Sequence, residues 1–319
     1  MKCPDIKLKD RLSAACFTLM LKATGSLPWR MLYPLADFLA WLAHSVVRYR
    51  RKVVDANLRS SFPEKSDREI AAITRRFYRH LADYFVETAR LSVMSLDDVR
   101  RHLRYENLSL IDEDTRAGRD VTLLLGHYGN WEWISTIPSF SGNTAGVEMG
   151  QIYHPLENVG ADIAFLRLRE RFGATCVSMA STIRVILGWR NEGKRSVVGY
   201  IADQSPMADD THLWVDFLNH DTPVFTGAER IARKLRGPVY YLDLEKERRG
   251  HYVARFVRIC QDASAEEMFE PTREYYRLLE NTIRRAPEYW LWSHRRWKRT
   301  RADFEARWGE NASQRLNRL

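Results

Sequence analysis

The feature that most constrains this chain is a short run, Val121–Leu125 (VTLLL), that breaks directly into Gly126-His127-Tyr128-Gly129-Asn130-Trp131-Glu132. Apolar and β-branched residues in an unbroken run ended by glycine mark a strand buried on both faces. Such strands belong to sheets covered by helices, and in open sheets of that kind ligands bind just beyond the strands' C-terminal ends. Gly126 and Gly129 permit tight turns at that place. Asn130 is a candidate N-cap, which puts Glu132 in the first turn of the next helix, where the helix dipole favours a carboxylate. His127 and Glu132 would diverge by about 140° on one regular helix. His127 precedes the helix, however, and the turn can fold it back over Glu132. A carboxylate on one ring nitrogen fixes the tautomer and raises the basicity of the other, which is then free to take a proton from a hydroxyl. A histidine after a strand also occurs simply as a satisfied polar residue.

Further strand-like segments lie at Val147–Tyr153, 175–179, 197–202, Leu213–Phe217, 239–244 and 252–259. Helical stretches stand between several of them, at 159–172, 181–190 and Gly227–Leu235, and a last helix is expected near 271–285. The alternation predicts an α/β fold. Upstream, Ile70, Ile73, Phe77, Leu81, Tyr84 and Thr88 recur at helical spacing within 66–94, and 57–63 (NLRSSFP) reads as a turn between helices with Pro63 as the stop. The expected organisation is a helical, membrane-associating part over residues 1–115 and an α/β body with a basic C-terminal segment over 116–319.

The charge balance indicates the class of partner. There are 50 Lys and Arg against 41 Asp and Glu, a net charge of +9. Nucleic acid, a membrane surface or a phosphorylated substrate would suit it. Residues 284–301 concentrate the effect, with seven basic residues against Glu288 and with Trp290, Trp292 and Trp297 between them. That pattern suits headgroup phosphates or single-stranded nucleic acid, whose bases stack on aromatic rings. Two apolar stretches, 12–21 and 31–47, are flanked by Lys7, Lys9 and Arg11 before and Arg48, Arg50, Arg51 and Lys52 after. Neither is a clean span, which needs about 20 apolar residues; Lys22 ends the first, and Asp37 and His44 interrupt the second. They are either two core helices or a pair embedded in the membrane or dipping into one leaflet beside anionic lipid. Four scattered cysteines without CxxC spacing argue against a zinc cluster or a secreted disulfide framework. The stretch 188–195 (GWRNEGKR) mimics a phosphate-binding loop but follows a helix and carries Arg195 where Ser or Thr is required.

Several blocks in order resemble one family. Gly126–Glu132 is similar to the H-x4-D/E motif of the glycerolipid acyltransferase superfamily, in the form found in bacterial lipid A biosynthesis (Kdo-dependent) acyltransferases. Arg167-Leu168-Arg169, Ala202-Asp203-Gln204, Ala286-Pro287-Glu288 and the stretch 291–298 (LWSHRRWK) follow in the family's order, and Asn57-Leu58 with Phe62-Pro63 matches its N-terminal region. Two stretches depart: 217–225 lacks the usual glycine, and 300–303 replaces the usual proline ending.

The resemblance implies a central mixed β-sheet flanked by helices, glycerolipid acyltransferase-like. It also implies direct transfer of a fatty acyl chain from acyl carrier protein to a hydroxyl of a lipid A precursor, a phosphorylated glycolipid. The setting would be the cytoplasmic face of a bacterial inner membrane. His127 would be the base, and Glu132 would orient and polarise it. The oxyanion would be met by backbone N–H groups near Gly129 to Trp131 or by an arginine. Arg167 and Arg169 point about 200° apart if helical, one toward a phosphate or oxyanion and the other structural. Asn130 and Asp203 would lie at the substrate, Asp203 bracing the active-site loops or an arginine, or else capping a strand end. No metal, organic cofactor or nucleic acid is implied. Another glycolipid or an aminolipid is the alternative acceptor, and a membrane-attached nucleic-acid- or lipid-binding protein is the non-enzymatic alternative.

Overall fold

The computed structural model describes residues 7–316. The chain begins with α1 (Leu8–Gly25), α2 (Trp29–Trp41), a π-helical turn (Leu42–Val46), α3 (Arg51–Ser61), α4 (Asp67–Leu91) and α5 (Leu96–His102). Then follow β1 (Leu103–Glu106), α6 (Leu108–Arg116), β2 (Val121–Leu125), a 3-10 helix (Trp131–Ser139), β3 (Val147–Tyr153), α7 (Val159–Glu170), β4 (Thr175–Ser178), α8 (Thr182–Asn191) and β5 (Arg195–Ile201). The remainder is the β6–β7 hairpin (Leu213–Phe217 and His220–Val224), α9 (Gly227–Leu235), β8 (Val239–Arg248), β9 (His251–Cys260), α10 (Glu270–Arg285), α11 (Arg301–Trp308) and α12 (Ala312–Arg315).

Seven strands form one sheet in the order β1-β9-β8-β2-β5-β3-β4. All neighbours are parallel except β8 and β9, an antiparallel hairpin turned at Arg249-Gly250, so the sheet is mixed, as expected. All five residues of β2 are buried, in keeping with its apolar run at the sheet's centre. A separate hairpin, β6–β7, stands outside the sheet.

Three segments differ from the sequence expectation. Residues 57–61 are not a turn; they are the end of α3, because Val54 and Leu58, one helical turn apart, both bury completely in the core. The break comes at Phe62-Pro63. The edge strand β1 lies N-terminal to residue 115, so the sheet draws on the segment read as wholly helical. β7 carries Pro223, a residue tolerated because the hairpin has free edges.

The N-terminal helices gather round α4, which starts from a reciprocal Ser66–Glu69 capping box. Leu32, Ala36 and Ala40 of α2 pack on Ala82 and Val86 of α4. At Gly25 of α1, a Cβ would stand 2.1 Å from the Ala89 carbonyl oxygen, so only glycine allows so close an approach. A buried ionic group fastens these helices to the β8–β9 hairpin. Lys246 Nζ lies 3.0 Å from Asp83 Oδ2 and 3.5 Å from Glu87 Oε1. Arg249 bridges Asp83 and Asp37, and the Tyr252 hydroxyl donates to Glu87 at 2.5 Å. Among the described residues, no helix is long and apolar enough to cross a membrane.

Candidate active site

The parallel register of the central strands builds the site. Leu125 at the end of β2 pairs with Ile201 at the end of β5. The Ala202 N–H still donates to the Leu125 carbonyl at 3.1 Å, one step beyond the strand. Continuing the register sets His127 beside Asp203. Consecutive tyrosines of α10 lock both strand ends, Tyr275 donating to the Leu125 carbonyl at 2.8 Å and Tyr276 to the Ala202 carbonyl at 2.7 Å.

Asp203 is buried and saturated with donors. Its Oδ1 lies 2.6 Å from His127 Nδ1, and its Oδ2 accepts the His127 N–H at 2.8 Å and the Trp290 indole N–H at 2.7 Å. Burial opposes its charge, but the His127 ring beside it and these hydrogen bonds outweigh burial and hold the carboxyl below its ordinary range. An ionised carboxylate only accepts, so the neutral form of His127 carries its proton on Nδ1 and presents a lone pair at Nε2. The side chain keeps 18% of its surface exposed, enough for a substrate to reach it. Gly126 makes the approach possible, because a Cβ there would meet Leu279 Cδ1 at 2.7 Å and Asp203 Oδ2 at 3.3 Å.

Glu132 does not orient His127, contrary to the sequence expectation; Asp203 does. Between the two, Tyr128 bridges to Trp290, and Gly129 turns with φ +59°, which sends Glu132 toward α4 and α7. There Arg169 grips both its oxygens, at 2.8 and 2.7 Å, and Tyr84 donates at 3.3 Å. Burial again works against the charge, but the Arg169 charge and hydrogen bonds, with that of Tyr84, keep the carboxyl below its usual range. Arg169 is correspondingly raised despite its own burial. Glu132 does occupy the first turn of a helix, here a 3-10 helix.

The other expected site residues separate. Asn130 is fully buried but does not cap the helix: it donates to the Tyr84 carbonyl and accepts from Thr88, both at 3.3 Å, tying the loop to α4. Arg167 is exposed and makes no hydrogen bond or ion pair among the described residues, so the two arginines do diverge. The Gly129 N–H, one of the expected oxyanion donors, is already given to the Tyr289 carbonyl at 2.9 Å.

Three contributors went unassigned in the sequence. Tyr84 looked like one more member of a core stripe, although its stacking on Trp131, with ring centroids 4.3 Å apart, steadies the loop. Trp290 read as part of a basic, aromatic tail. Gln204 follows the assigned Asp203, and its Nε2 lies 3.2 Å from His127 Nε2; its place in the Ala202-Asp203-Gln204 block was the signal that could have found it. Among the described residues, no three His, Cys, Asp or Glu side chains converge to hold a metal ion. A concavity between α5, β1 and β9 is lined by residues such as Arg100, Leu103, Tyr105 and His251, and none of the residues around His127 line it.

A buried carboxylate and an imidazole held on it through Nδ1, with Gln204 at Nε2, stand together at the strand ends; such a pair can serve as a general base for a hydroxyl. No curated protein matches the chain. The sequence matches the family described as bacterial lipid A biosynthesis acyltransferase over residues 11–299, a span that includes every residue of the site. The chain therefore belongs to the bacterial lipid A biosynthesis acyltransferase family, and the protein is an acyltransferase.

Proposed function

We propose that this acyltransferase moves a fatty acyl chain from a thioester on acyl carrier protein to a hydroxyl of a lipid A precursor, at the cytoplasmic face of a bacterial inner membrane, with His127 as the general base. The observation that carries the mechanism is the His127–Asp203 pair: Nδ1 is held by an ionised carboxylate, which leaves Nε2, in contact with the Gln204 amide, as the proton acceptor. His127 removes the acceptor's hydroxyl proton as its oxygen attacks the thioester carbonyl carbon. The tetrahedral intermediate collapses with cleavage of the C–S bond, and the proton passes from His127 to the departing thiolate. Asp203 stabilises the imidazolium between these steps. Glu132 and Arg169 hold the loop that carries the base.

The surface supports the setting. Leu12, Leu19 and Met20 of α1 and Met31, Phe38 and Trp41 of α2 are exposed, as are Val46 and Val47 of the following turn. Helix α2 thus has one apolar face on α4 and a second facing out. Exposed apolar groups beside Arg48, Arg51 and Lys52 suit an interfacial seat on anionic lipid. The exposed Arg295 and Lys298, near the site through His294, suit a phosphorylated acceptor.

The test is an acyl-transfer assay with detergent-solubilised protein, carrier protein bearing a labelled chain, and a Kdo-bearing lipid A precursor. Label is expected in the lipid product and is expected to vanish with His127→Ala. Transfer into a total lipid extract but not into that precursor would move the acceptor to another glycolipid or an aminolipid. Absence of transfer from folded protein with competent donor would overturn the assignment.

A further inference from the structure

We propose that Gln204 is a catalytic residue of this reaction: its side-chain amide caps the base in the free enzyme, and when the acceptor hydroxyl takes its place at His127 Nε2 the same N–H group donates to the oxyanion. The inference rests on the acyl-transfer function proposed above.

The geometry starts from the hydrogen-bond inventory. Asp203 fixes the His127 proton on Nδ1, so Nε2 has only a lone pair to offer. Gln204 Nε2 stands 3.2 Å from it, and an amide can meet a lone pair only by donating its NH2. The opposite amide orientation would set Oε1 against the imidazole lone pair, two acceptors in contact. The contact to His127 is the only hydrogen bond of the Gln204 side chain among the described residues. No other hydrogen bond among the described residues requires this amide, and it occupies the position an acceptor hydroxyl must take to lose its proton.

The chemistry then needs a donor beside that position. When the acceptor oxygen bonds to the thioester carbon, the carbonyl π pair moves onto its oxygen and the proton moves to His127 Nε2. The new oxyanion lies within a bond or two of the attacking oxygen. Two of the donors expected for it are otherwise engaged: the Gly129 N–H is bound to the Tyr289 carbonyl, and the Arg169 guanidinium is held by both oxygens of Glu132. The His127 N–H is taken by Asp203. Gln204, displaced from Nε2 by the substrate, keeps two amide protons and a short, uncommitted side chain. As the intermediate collapses, the C=O re-forms, the C–S bond breaks, the thiolate takes the proton from Nε2, and the amide returns to the base.

The loop that carries Gln204 is braced for such a role. Arg299 donates to the Ser205 hydroxyl at 3.2 Å and to the Pro206 carbonyl at 2.7 Å. Arg307 and Arg315 hold Asp209 further along, at 3.0 and 2.8 Å. A donor aimed at developing charge is effective when its backbone is already fixed.

Gln204→Ala and Gln204→Glu, compared with wild type and His127→Ala in the assay above, test the proposal. Removal of one oxyanion donor lowers kcat by about 10²- to 10³-fold in other acyl-transfer enzymes, and Gln204→Ala is expected to fall in that range with KM changed little. Gln204→Glu keeps the length but places an anion at Nε2. It is expected to lose at least as much and to move the acid limb of the pH–rate profile upward, because the anion stabilises the imidazolium. Nitrogen-15 NMR of the imidazole is expected to show Nε2 losing a hydrogen bond in Gln204→Ala while Nδ1 stays protonated, with an unchanged thermal melt. A Gln204→Ala enzyme that folds and keeps or exceeds wild-type kcat overturns the proposal and leaves Gln204 as a resting-state cap. Wild-type protein that transfers no acyl group overturns the underlying function, and this proposal falls with it.

Discussion

Replacing Asp203 by Asn should silence the enzyme without unfolding it, and the bonding pattern around Asp203 says why. The carboxylate receives three donors: His127 Nδ1–H on one oxygen, and the His127 N–H and Trp290 indole N–H on the other. An asparagine has two ways to fit. With its oxygen toward Nδ1, its NH2 faces two N–H groups that have no other acceptor there, a double clash in a buried place. With its NH2 toward Nδ1, both of those donors stay satisfied, and only the imidazole must change, accepting at Nδ1 and carrying its proton on Nε2. The second arrangement wins, and it removes the lone pair that takes the hydroxyl proton. Wrong-tautomer substitutions of this kind lower kcat about 10⁴-fold, which at 1.36 kcal/mol per tenfold is about 5.4 kcal/mol of barrier. Stability should fall far less, by about 1–3 kcal/mol for the lost charge assistance. The measurement is kcat in the acyl-transfer assay, with far-UV circular dichroism and a thermal melt to verify the fold. A folded Asp203→Asn protein within tenfold of wild type would refute the assignment of Asp203 as the residue that sets the tautomer.

Three further outcomes follow from the same structure. Arg169→Ala leaves the Glu132 carboxylate, 2% exposed, without its partner; a loss of about 3–5 kcal/mol in denaturant unfolding is expected, and Arg169→Lys should recover only part of it because an ammonium cannot grip both oxygens. His294 is held down to about 4, first by burial. The unfolded chain therefore takes up a proton on this residue near pH 6.5 that the folded chain refuses until about pH 4, so its contribution to stability is present above 6.5 and is lost as pH falls toward 4. His294→Gln should flatten the fall in Tm across that window. Phe38 and Trp41, each 55% exposed, should seat the protein on lipid; changing both to Glu is expected to cost about 2 kcal/mol, near 30-fold in partition to anionic vesicles measured by sedimentation, with activity in detergent retained.

Much of this architecture was legible in the sequence because periodicity reports burial. The apolar run of β2 announced a central strand, and the 66–94 stripe announced α4. β1 and β7 escaped because four- and five-residue strands with Arg104, Glu106, His220 and Asp221 in them carry no apolar signature. The site was half legible. His127 announced itself by following β2, but its partner lies 76 positions away, and proximity in sequence favoured Glu132. Only the pairing of β2 with β5 decides between the two carboxylates, and pairing is a property of the whole sheet. The expected divergence of Arg167 and Arg169 follows from helical geometry, since one side of α7 meets Glu132 and the other meets solvent.

The register that joins His127 to Asp203 also governs how this enzyme can change over evolutionary time. His127 and Asp203 follow two hydrogen-bonded strands, so residues can be gained or lost in the loops between them without disturbing the pair, provided the strands still start in step. A single deletion inside β2 or β5 does the opposite: side chains alternate along a strand, so it would turn one partner to the far face of the sheet. Variation can therefore accumulate in the loops of the intervening stretch, while the five rungs from Val121–Val197 to Leu125–Ile201 act as the reading frame that keeps His127 and Asp203 paired.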